Sequence, residues 1–196
     1  MKSKIYKTSY PREEFLNLVQ KALTTSHEQV IQHIFPLSPE QLTWKPDDST
    51  WSVSEVLLHL EKVEQEYAPK MNQGFENALG SQPIGIVKIG WFSKVFAKSL
   101  GPESRRKKQK SPAMFKPSHS EEAVHVKKVW NGIHSDFSSW NQSIGEVNPN
   151  KVKISSPVSS LIRFRLPGIL FALNQHNLRH LAQALELIEH RNFPKS

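Results

Sequence analysis

A chain of 196 residues without a single cysteine excludes disulfides, thiolate metal sites and cysteine nucleophiles. No apolar run approaches the ~20 residues needed to span a bilayer, and the basic start, MKSKIYKTSYPREEF, lacks the apolar core of a secretory signal. A cytoplasmic protein with no membrane partner is the expectation. The net charge of +8 draws much of its excess from Arg105, Arg106, Lys107, Lys108 and Lys110, with Lys88, Lys94 and Lys98 upstream. No nucleic-acid-binding motif accompanies this run, so it reads as a solvated loop rather than a phosphate-reading surface.

In chain order, Pro11 to about Ile34 carries Phe15, Leu18, Val19, Ala22, Leu23, Val30 and Ile31 at helical spacing, with Pro11 suited to a first helical turn. Pro36 and Pro39 end that pattern. Ser38 to Thr50 reads as a turn-rich connection. Ser52-Val53-Ser54-Glu55 is a capping box, in which the serine oxygen and the glutamate each satisfy an N–H at the helix start. Behind it Val56, His59, Val63 and Tyr67 share one face of a helix expected to reach about Leu79. Residues 81 to 117 are the least regular, with one short helix expected within Ile84 to Leu100. They read as an insertion over one end of a helical bundle. The apolar strip on that helix suits a lid or a homodimer contact.

Ser118-His119-Ser120-Glu121 forms a second capping box, ahead of a helix with Val126, Trp130, Ile133, Phe137 and Trp140 spaced 4, 3, 4 and 3 residues apart. Asn148-Pro149-Asn150 breaks it. Ser155 to Arg165 is a connection in which a short helix fits. A last helix, about Leu166 to Arg191, lines up Ile169, Leu173, His176, His180, Ala184 and Leu187. Strand signals are weak throughout. The expectation is one all-α domain over 1–196, a four-helix bundle with the insertion 81–117 between the second and third long helices.

His176 and His180, four residues apart, stand one turn above the other on what reads as the core-facing stripe. His59 occupies an equivalent place between Val56 and Val63. A buried imidazole without a partner forfeits ~1–3 kcal/mol per unsatisfied group, and one divalent ion taking a nitrogen from each ring would satisfy all three together. The alternative is a metal-free helical module whose histidines bond to neighbours. Trp44 and Trp51 read chiefly as packing for the linker, and His134 as an ordinary edge residue.

Trp51-Ser52-Val53-Ser54-Glu55-Val56-Leu57-Leu58-His59-Leu60 resembles the WS-x-x-E-x-x-x-H-L stretch of the DinB/YfiT-like proteins, and His176, Arg179, His180 and Gln183 match that family's H-x-x-R-H-x-x-Q helix. The resemblance covers most of the chain. It implies a DinB-like four-helix bundle with a three-histidine metal site, here His59, His176 and His180, often holding zinc or nickel. It also implies a small-molecule substrate, with members acting as thiol transferases on a low-molecular-weight thiol, as isomerases or as hydrolases. Residues 81 to 117 are longer and more basic than that pattern, and no Asp, Glu or Ser falls in a matching catalytic motif. The function expected is a metal-dependent transferase or hydrolase activating a thiol or water. The rival is a non-catalytic helical binding protein whose basic insertion contacts nucleic acid or another acidic partner.

Overall fold

In a computed structural model of the chain, residues 5–104, 111–117 and 125–195 are described. The basic run 105–110 and the capping box at 118–121 lie outside them. Strand β1 (Ser9–Pro11) leads into helix α1 (Arg12–Gln29), whose buried Phe15, Val19, Ala22, Leu23 and Ser26 recur at the predicted spacing. The helix continues as a π-helical turn over Val30–Ile34, closed by Phe35 N–H donating to the Val30 carbonyl at 2.9 Å.

The connection expected over 38–50 contains a short helix, α2 (Pro39–Thr43). Ser38 and Gln41 make a reciprocal capping box there, a signature that a Gln at the third position supplies as well as a Glu. Helix α3 (Val53–Glu76) begins as expected: Glu55 N–H donates to Ser52 Oγ at 3.2 Å, and Ser52 N–H to Glu55 Oε2 at 2.8 Å. Pro69 lies within it. An interior proline removes one helical hydrogen bond, yet α3 runs through because Tyr67, Met71 and Phe75 remain buried on its inner face.

Two departures fall in the segments that looked irregular. Strand β2 (Ile86–Lys88) pairs antiparallel with β1, Tyr10 opposite Val87, before helix α4 (Trp91–Leu100). After helix α5 (Val126–Glu146), the connection expected to hold a short helix is instead a β-hairpin. Strand β3 (Lys153–Ser155) pairs with β4 (Arg163–Arg165), and Ile154 stands opposite Phe164. Three-residue strands are too short for a period-two pattern to stand out from the surrounding loop. Helix α6 (Leu166–Ile188) follows directly.

The fold is all-α apart from these two small ribbons. Helices α1 and α3 each pack against both α5 and α6, so the four long helices surround one core. Trp130, Trp140, Phe15, Phe137, Phe171 and Leu57 are fully buried within it. Helix α4 lies along α6. Since α3 and α6 are neighbours, side chains on their facing stripes meet inside the protein.

Candidate metal centre

The capped start of α3 fixes His59 seven residues in from Ser52, on the stripe that buries Val56 and Val63. On α6, His176 is buried and His180 is partly exposed one turn later. Their ring centroids are 4.5 Å apart, and the His59 ring lies 5.2 Å from His176 and 4.6 Å from His180. One ligating nitrogen from each ring can be chosen so that all three lie within 4.8 Å of one another. The three histidines singled out in the sequence therefore form a cluster able to hold a metal ion.

The hydrogen bonds decide which nitrogens carry lone pairs. His59 Nδ1 lies 2.6 Å from the Phe115 carbonyl. A carbonyl only accepts, so this nitrogen carries the proton and Nε2 of the neutral ring keeps its lone pair. His180 Nδ1 stands 3.1 Å from Gln183 Oε1, which sets the same tautomer. His59 Nε2 points at His176 Nε2, 3.3 Å away. Burial lowers the pKa of His59 against the smaller opposing effect of the Phe115 carbonyl. His176 is held well below its usual value by burial, then by His180, His59 and Arg179. His180 is pushed down to about 3, again chiefly by burial. Near neutral pH all three rings are uncharged, the form that ligates a cation.

The donor set fits a divalent ion. Tetrahedral coordination with zinc–nitrogen bonds near 2.0–2.1 Å sets ligand nitrogens roughly 3.3–3.4 Å apart, which matches the 3.3 Å between His59 Nε2 and His176 Nε2. A direct hydrogen bond between those two atoms would serve two of the three converging nitrogens, whereas a cation serves all three. His176 Nδ1, the ring nitrogen turned away from this point, is buried without a hydrogen-bond partner among the described residues.

Around the cluster, Trp51 lies 4.9 Å from His59 and near-parallel to His180 at 6.1 Å, making one wall. Trp44 does not approach it and packs on His190 and Phe193 instead. Sequence reading missed the role of Phe115, because a backbone carbonyl leaves no side-chain signature; its position is fixed in part by Lys62 Nζ donating to the adjacent Lys116 carbonyl at 2.8 Å. The described segment 111–117 thus supplies the acceptor that orients His59. Gln183 sits in the recognised motif, and the geometry gives it its part. Arg179 of the same motif is buried and donates to the Ser99 carbonyl on α4 at 3.1 Å. His134, read as an edge residue, stacks on His27 at 3.8 Å, and Trp130 Nε1 donates to His27 Nδ1. No second metal-competent cluster occurs among the described residues.

Fold and site together define a helical protein with a three-imidazole cluster shared between two helices. The chain belongs to the DinB superfamily, whose family model matches residues 22–184. It is also 23% identical over 171 residues to the uncharacterised protein YuaE of Bacillus subtilis strain 168, covering 78% of this chain and 86% of that protein. No solved structure shows significant similarity to it.

Proposed function

We propose that His59, His176 and His180 hold one divalent ion, zinc or nickel, and that the protein is a metal-dependent enzyme acting on a small molecule by thiol transfer or hydrolysis. One observation carries this reading: two rings on different helices have their Nδ1 atoms engaged by acceptors, so that their free lone pairs face a shared point. Three protein nitrogens leave a zinc-like ion at least one open position, and an ion so held acidifies a water or thiol bound there. The chain's own residues do the rest. The Phe115 carbonyl and Gln183 hold the tautomers of His59 and His180. Burial keeps the rings neutral, and Trp51 gives the approach an apolar aromatic wall. The cluster itself contains no carboxylate, which favours a thiol, already nucleophilic once deprotonated, over a water needing a separate base.

The test is turnover by chelator-treated protein reconstituted with zinc or nickel, on an electrophile with a low-molecular-weight thiol and on an activated ester without one. Metal-dependent thiol consumption that disappears in His176→Ala is the expected result. Equal rates with and without metal on both substrates would refute the reading.

A further inference from the structure

Helix α4 is packed inside out. It meets α6 through small residues: Ser93 and Ala97 are buried, and Gly168 admits them so closely that a methyl there would sit 2.5 Å from Ser93 Cβ and 3.1 Å from the Ile89 carbonyl oxygen. Three of its large apolar side chains face outward instead, while Phe96 and Leu100 pack partly buried against the core. Trp91 is 69% exposed and Phe92 51%, with Val95 also exposed. Lys94 and Lys98 share the outer face with Trp91 at helical spacing. Burying large residues is the usual use of an amphipathic helix, so this arrangement leaves the protein with an unpartnered apolar face by construction.

The β3–β4 hairpin extends that face. Phe164 stacks against Phe92 at 5.3 Å and Phe96 at 4.7 Å, joining the hairpin to α4. Near the turn, Leu161 is 92% exposed and Ile162 lies open beside it. Asn150 ties β2 to the same assembly, accepting from Lys88 N–H at 2.7 Å and donating to the Ile86 carbonyl at 2.9 Å. Within α4, β2 and the hairpin themselves the charged residues have one sign, and the exposed Glu103 follows just after α4. From Asn77 to Pro102 and from Val147 to Leu185 the sequence holds no aspartate or glutamate, while Lys88, Lys153 and Arg163 are exposed on the strands.

We propose that α4 and the hairpin form a peripheral docking surface for an anionic lipid bilayer. Exposed tryptophan, phenylalanine and leucine interspersed with cations is the pattern that settles into a headgroup layer: apolar tips enter the acyl boundary while lysines and arginines meet lipid phosphates and carboxylates. A second copy of the chain fits less well, because isologous pairing would set these cations against one another with no carboxylate from either segment. Single-stranded nucleic acid would use the aromatic rings for stacking but gives Leu161, Val95 and Ile162 nothing to do. The expectation of no membrane partner rested on the lack of a spanning segment, and among the described residues no helix is long and apolar enough to cross a membrane. Surface docking needs none. The proposal does not depend on the metal reading.

The test is co-sedimentation of the full chain with vesicles of phosphatidylcholine alone and of phosphatidylcholine mixed with phosphatidylserine, alongside sedimentation velocity without lipid. Binding to the mixed vesicles only, weakening as salt rises, is expected. Leu161→Asp and Trp91→Ala should each abolish most of it, and Lys88→Gln with Lys94→Gln should weaken it about 20- to 30-fold. Leu161, Trp91 and Lys88 are exposed and Lys94 partly so, and circular dichroism checks that the variants remain folded. No binding to mixed vesicles, or binding that survives Leu161→Asp and Trp91→Ala, overturns the proposal. So does a dimer in solution that Leu161→Asp dissociates, since a second copy would then be the occupant.

Discussion

His59 shows how a single backbone contact assigns chemistry to a side chain. With its Nδ1 proton committed to the Phe115 carbonyl, the ring presents one nitrogen to the interior and cannot turn without losing a buried hydrogen bond. Gln183 does for His180 what that carbonyl does for His59. Acceptors of this kind raise ligand basicity and fix ring orientation, and their loss typically costs 10–100-fold in metal affinity. Gln183→Leu, close in volume but without an acceptor, should weaken zinc binding by roughly that factor while leaving one site per chain. Competition against a chromophoric chelator reads the difference directly, and an unchanged affinity would mean that Gln183 plays no part in holding His180. None of the three rings needed the fold to be noticed: spacing on two apolar stripes singled them out. Phe115 did need it, since its contribution is a carbonyl delivered across 56 residues of chain.

Among the elements, α3 and α5 meet through a second buried polar contact with an opposite response to acid. Glu64 on α3 is pushed up to about 8 by burial and by Asp136 on α5, with a smaller effect from Glu61. The folded protein therefore keeps a proton that the unfolded chain releases near its ordinary 4.5. The stability that this proton contributes is full below about 4.5 and is lost as pH rises through about 8. Glu64→Gln, neutral at every pH, should flatten this decline: little change in the urea midpoint at the acid end of the window and a clear gain above it. A variant whose midpoint tracks the wild type throughout would remove Glu64 as the cause. The sequence made the long helices plain, because α1, α3, α5 and α6 each carry an apolar stripe and α3 a capping box. It hid α2, whose five residues are too few for periodicity, and it hid the hairpin, whose buried Ile154 and Phe164 are ten residues apart with only loop between them. Helix α4 was legible as a helix but not as one with its apolar side outward. Hydrophobic pattern fixes which face is apolar, and only the packing of Ser93 against Gly168 shows where that face points.

At the scale of the whole molecule, the cluster bridges two of the four long helices, so a bound ion would act as a cross-link between α3 and α6 as well as a reaction centre. Anything that binds the native state and not the unfolded chain stabilises by mass action, by ~2.7 kcal/mol when free ligand is a hundredfold above its dissociation constant. The same linkage is why metal content is the most direct test of the central claim. Protein purified without an affinity column that carries metal, dialysed against trace zinc and nickel, and measured by elemental analysis should hold one divalent ion per chain. His59→Ala and His176→Ala, which remove ligands from different helices, should each hold none while keeping the helical circular dichroism of the parent. Wild-type protein that stays metal-free, or variants that retain a full equivalent, would contradict the account.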